Sequence, residues 1–239
     1  IRRWRLEPSD VQAYARGELV DPVKPIVYYI DPGTPEQWRP YVKQGVEDWQ
    51  AAFETAGFSN AIIARDPPSP EEDPEWSGED VRYSVVRWAA NETRNAQGPS
   101  VSDPRTGEII ESDIVWYHNH MRSYRNRLMV ETGAANPLAR SLDIPEELMG
   151  ETMRQVIAHE VGHAIGLPHN WIASAAFPVD SLRSPAFTEK YGVAASIMEY
   201  ARQNYIAQPG DGVRRFVRMI GPYDHYAINW GYRIIPEAA

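Results

Sequence analysis

The eleven residues from His159 to His169 constrain this chain more than any other stretch. They spell H-E-x-x-H-x-x-G-x-x-H. On a helix, His159 and His163 stand about one turn apart on one face, roughly 6 Å from each other, so that two imidazoles can turn onto one ion. Glu160 is rotated about 100° from His159, which sets its carboxylate beside the ion, where a base that holds water would sit. Gly166 falls where helices end through a left-handed residue, and Pro168 prevents the helix from resuming. The chain can then turn back and offer His169 as a third ligand. From Val156 to Leu167 the only ionisable side chains are the two histidines and the glutamate. Burying them without partners would cost roughly 1 to 3 kcal/mol each, and a metal ion removes that cost. A helix whose histidines merely bond to backbone would not need this register.

A chain of 239 residues, 43% hydrophobic and with 8 Trp and 13 Tyr, can fill a sizeable core in one large domain or two small ones. The net charge of -9 argues against nucleic-acid or anionic-membrane partners and predicts a neutral or cationic peptide partner. No stretch approaches the roughly 18 consecutive apolar residues of a membrane span. The absence of cysteine leaves histidine and carboxylate as the strong metal-binding groups. Starting at Ile1, the sequence suits a processed product or an excised domain, with any signal peptide upstream.

Along the chain, residues 1–24 read as a charged lead-in with a short helix near Pro8 to Arg16. Pro25 to Ile30 reads as a buried strand. A long helix is expected next, capped by Thr34, opened by Pro35 and stopped at Gly57. Ala61 to Ala64 would be a second strand, parallel to the first through a right-handed crossover. Asp66 to Asp80 is an acidic surface loop without regular calcium-ligand spacing. Val81 to Trp88 alternates as a third strand, and Asn91 to Ser100 reads as a polar loop. A turn at Ser102 to Glu108 should return the chain as an edge strand over Glu108 to Tyr117, on which an extended peptide could pair. His118 and His120 read as rim residues, helix follows over Tyr124 to Glu131, and the metal helix spans about Pro145 to Leu167. Beyond His169 the periodicity fades until a last helix over Tyr223 to Tyr232, capped by Asp224 and stopped by Gly231. The expected architecture is α+β: a twisted mixed sheet with a long backing helix and the active-site helix in an upper lobe (25–167), an irregular, mostly helical lower lobe (168–239) and a cleft between. Residues 25–239 would form a single catalytic domain.

The motif helix, the third histidine and Met198 some thirty residues on resemble the metzincin clan of zinc peptidases. Ser196-Ile197-Met198-Glu199-Tyr200 is similar to the S-x-M-x-Y turn of astacins and serralysins. Tyr28 to Gly33, Asp103 to Ile109, Tyr223-Asp224 and Trp230-Gly231-Tyr232 extend the likeness to the catalytic, or Met-zincin, domain of large bacterial zinc-dependent metalloproteases. The resemblance implies one catalytic Zn²⁺ on His159, His163 and His169, and peptide hydrolysis by a zinc-activated water with Glu160 as base. It implies that Tyr200 steadies the oxyanion and that Met198 packs beneath the metal. It also implies a protein or peptide substrate and an extracellular or periplasmic location, and a monomer is expected. Asn170 is not the residue that follows the third histidine in astacins, adamalysins or matrixins, so their specificities do not transfer. Two rivals remain at this stage: a carboxylate third ligand from Glu189 or Glu199, and a zinc-stabilised binding module with lost or latent protease activity. Zinc hydrolysis of a non-peptide would use the same residues.

Overall fold

The strand expected before Asp31 forms as β1 (Ile26–Ile30), with Ile26, Tyr28 and Ile30 turned into the core. In the computed structural model, which describes residues 1–235, α1 (Val11–Ala15) precedes it and α2 (Arg39–Glu47), α3 (Gln50–Thr55) and β2 (Ile62–Arg65) follow. Next come β3 (Ser84–Ala89), β4 (Ala96–Gln97), β5 (Val101–Ser102), β6 (Ile109–Glu111) and β7 (Ile114–Tyr117). The helices α4 (His120–Arg127), α5 (Glu146–Ala164), α6 (Val179–Leu182), α7 (Pro185–Tyr191) and α8 (Pro222–Tyr232) complete the described elements used here.

The main sheet has the order β2-β1-β3-β7-β4. Its first four strands are parallel and β4 runs antiparallel to β7. Helices α2 and α5 pack together beside this sheet, and α3 packs on α8. This is an α+β fold with a mostly parallel sheet. No described helix is long and apolar enough to cross a membrane.

Three expectations need correction. The helix expected from Thr34 to Gly57 starts only at Arg39, after a turn, and is interrupted at Asp48 and Trp49. Thr34 is not its cap. The interruption lies where the helix is locked to α5: the Trp49 indole donates to Ala158 O at 2.8 Å, and Asp48 pairs with Arg154. Both interrupted residues keep right-handed helical angles, so the apolar period runs through, and Gly57 ends it at φ +95°.

The expected edge strand Glu108 to Tyr117 is divided at Ser112 and Asp113. β6 pairs with β5 in a separate hairpin, whereas β7 lies inside the main sheet between β3 and β4. The division is polar: Ser112 N donates to Ser84 Oγ and Val85 N to Asp113 Oδ1, at 3.0 and 2.8 Å. The edge is β4, two residues within the expected polar loop. Finally, Gly221 caps α8, Asp224 is its third residue, and Gly231 lies inside the helix, which continues to Tyr232.

Residues 1–24 contribute Leu6, Ala13, Tyr14 and Val20 to the main core. The Trp4 indole donates to Ala164 O at 3.0 Å and Tyr232 Oη donates to Ile165 O at 2.8 Å. Both ends of the described chain thus brace the C-terminus of α5.

Candidate active site

Helix α5 carries His159, Glu160 and His163 and ends as the sequence suggests. Gly166 N donates to His163 O and Leu167 N to Gly162 O, both at 2.9 Å, with Gly166 at φ +98°. This pair of bonds is a Schellman turn. A Cβ on Gly166 would lie 2.1 Å from Arg2 O, so the lead-in segment also closes that position to other residues. The reversal brings His169 back, and one ring nitrogen from each of His159, His163 and His169 lies within 4.8 Å of the others.

The tautomers favour a shared cation. His159 Nδ1 is 2.8 Å from Ile197 O and His163 Nδ1 is 2.9 Å from Leu167 O. Carbonyl oxygens only accept, so each Nδ1 holds the proton and each Nε2 is left as a lone pair. His159 Nε2 is buried without a partner, and His163 Nε2 faces His169 Nε2 at 3.0 Å. Burial lowers the pKa of all three, that of His159 to about 3 with the charge of Arg218 adding to the effect. Neutral, convergent imidazoles are what a zinc ion requires. The alternative carboxylates are occupied elsewhere: Glu189 pairs with Arg215 at 2.9 Å, and Glu199 accepts from Ser174 N and Tyr200 N at 3.1 and 2.9 Å.

The turn beneath the histidines is tied from below. Asp224, fully buried, accepts from Ser196 Oγ, Ile197 N and Gly221 N at 2.6, 2.7 and 2.8 Å. Ser196 Oγ in turn accepts from Met198 N at 3.0 Å. Asp224 therefore fixes the same segment whose Ile197 carbonyl orients His159. Burial pushes its pKa up to about 6 even so. Met198 is buried under α5, where a Cβ on Gly162 would come within 2.1 Å of its Sδ. Only glycine leaves that space. Tyr200 is 54% exposed, with its ring centroid 4.2 Å from that of His169 and 5.3 Å from that of His159. Trp171, also exposed, packs at 5.0 Å against both His169 and Tyr200.

Glu160, His159, His163 and Tyr200 line an open cleft of about 640 Å³, and the segment from Arg94 to Pro99, which includes β4, also lines it. Burial raises the Glu160 carboxyl to about 7, against smaller downward pulls from Arg218 and the Gly98 amide. His118 and His120 part company: His118 is exposed, while His120 is buried in the cleft wall between Trp116 and Tyr124. They do not form a second metal site. Burial lowers the His120 pKa to about 4.

The cleft is also more basic than the net charge of the chain suggests. Arg94, Arg127, Arg202 and Arg218 line it, against Glu131 and Glu160. Sequence reading missed Trp171, Gln155 and Arg218, none of which falls on a specified position of a motif, and took Asp224 for a cap alone.

The α+β domain thus brings a H-E-x-x-H helix, a third histidine and a buried methionine into one site. Residues 141–239 match the family described as Met-zincin, a span that holds every site residue from His159 to Asp224. No curated protein matches the chain. A structure described as that of myroilysin is 14% identical over 97% of this chain and 90% of its own, with a TM-score of 0.36, too loose a superposition to carry weight.

Proposed function

We propose that the chain is a zinc endopeptidase in which Glu160 is the general base. The observation that carries this reading is the convergence of three imidazole nitrogens beside a buried carboxylate in an open cleft. His159, His163 and His169 would hold the ion, which when bound polarises a carbonyl and makes water acidic near neutral pH. Glu160 takes the proton of the attacking water and passes it to the leaving amine. Its raised pKa suits a group that must both accept and return a proton near neutrality. Tyr200 donates its hydroxyl to the oxyanion that forms on the scissile carbonyl. Met198 packs beneath the site. The free edge of β4 offers backbone groups to an extended peptide, which suits substrates of varied sequence.

An extracellular or periplasmic location and a monomeric state belong to the same proposal, and fractionation and sedimentation check them. So does the catalytic unit at 25–239, of which 236–239 lie outside the described residues, with 1–24 bracing it.

The test is cleavage of casein by the purified domain, with a chelator control and with Glu160→Ala and Tyr200→Phe beside the unaltered protein. Chelator-sensitive cleavage, abolished in Glu160→Ala and slowed about 10- to 100-fold in kcat by Tyr200→Phe, is expected. Full activity in Glu160→Ala would end the assignment of the base. One zinc per chain without any cleavage would favour a binding module instead.

A further inference from the structure

Arg218 is 7% exposed, and its Nε and Nη1 are buried without a hydrogen-bond partner. Among the described residues its guanidinium makes no ion pair. A buried charge left in this state is unfavourable until something of opposite charge meets it. The acidic groups within its electrostatic reach do not pair with it: Glu199 and Asp224 are occupied by backbone amides, and Glu160, though also under its influence, makes no ion pair with it.

The arginine is nevertheless held in place. Its backbone N–H donates to Gln155 Oε1 at 2.8 Å, and Gln155 lies one turn before His159 on α5. The guanidinium is under the electrostatic influence of Tyr124, Arg127, Glu199 and Tyr200, on the side of the catalytic cleft. Of the other cleft arginines, Arg202 pairs with Glu131, while Arg94 and Arg127 have no acidic partner among the described residues. The space beside the histidines is therefore basic in a chain whose net charge is -9.

We propose that Arg218 forms the floor of a carboxylate-binding subsite next to the scissile bond, so that the enzyme selects peptides carrying a negative charge there. The inference rests on the peptidase reading and names the substrate class for that same cleft. The guanidinium can give a carboxylate a charge-assisted hydrogen bond, with Nη2, which is not among its buried nitrogens, as the donor. The carboxylate can come from an Asp or Glu side chain or from the C-terminus of the substrate. This departs from the neutral or cationic partner expected from net charge, because a cleft is read by the charges that line it rather than by the molecular sum.

The experiment uses the zinc-loaded domain and a peptide series with the scissile bond held constant. One arm places Glu or Gln at each of the positions flanking the bond in C-terminally amidated peptides. The other compares free and amidated C-termini in the Gln peptides. A preference in kcat/KM of about 10- to 100-fold for Glu over Gln at one position identifies a side-chain carboxylate, and the same preference for the free acid identifies a chain terminus. In Arg218→Gln the preference should collapse toward unity, and in Arg218→Lys it should fall part of the way. Zinc content and a cooperative thermal transition show whether each variant is folded. If neither variant folds, the ratio in the unaltered protein still decides. Equal cleavage of all the peptides, with casein still digested, would overturn the subsite and leave the peptidase reading standing. Failure to cleave casein would remove both.

Discussion

The two halves of the site are held in place by different means. His159, Glu160 and His163 ride on α5, a 19-residue helix seated on α2 through close contacts such as that of Ile157 with Gly45. His169, Met198 and Tyr200 lie in a stretch with only short helices, where apolar periodicity is absent. There two buried carboxylates take over: Asp224 holds the turn at Ser196 and Ile197, and Glu199 holds Ser174 and its own neighbour Tyr200. A helix distributes its order over many small contacts, whereas the second half concentrates it in a few long-range bonds. Loss of one residue should therefore be felt most in the second half.

The largest effect is expected at Asp224. Asp224→Ala leaves three donors without an acceptor and should cost on the order of 3 to 5 kcal/mol of stability, measured by urea unfolding, with weakened zinc binding. A cost below about 1 kcal/mol would show that the second half is held by something else. A smaller effect is expected where the halves touch. In Gly162→Ala the new methyl group would meet Met198 Sδ and, at 2.9 Å, Trp49. A loss of about 1 to 3 kcal/mol is expected, together with a change in zinc affinity. Loss of stability without any change in affinity would mean that the methionine turn does not couple the two halves.

The smallest effect concerns pH. The His120 pKa is lowered to about 4 in the fold from an ordinary value of 6.5. The unfolded chain thus binds the proton first, and this group contributes stability above pH 6.5 that is lost as pH falls toward about 4. His120→Phe should flatten the acid side of the Tm profile over that window. An unchanged profile would show that His120 does not contribute to acid lability.

The same contrast governs what could be read from sequence. The α5 segment was legible because helical spacing, an apolar background and the glycine turn all gave the same answer. β4 was not, since two residues cannot show a period, and the edge was placed on Glu108 to Tyr117 instead. The start of α2 was misread because Thr34-Pro35 has the composition of a helix opening, yet Thr34 N bonds back to Asp31 O in a turn. Asp224 was recognised as a capping residue, but its bonds to a segment 28 residues earlier leave no local signal. Arg218 follows Arg214 and Arg215 in coil, and only burial without a partner distinguishes it.

On the proposed reading, the two halves meet on one metal ion. Elemental analysis of the purified domain beside His169→Ala tests it most directly. One zinc per chain is expected in the unaltered protein, and an affinity lower by on the order of 100-fold or more in the variant. Equal zinc content and affinity in the two would show that His169 is not a ligand, and a domain that takes up no zinc at all would contradict the account at its base.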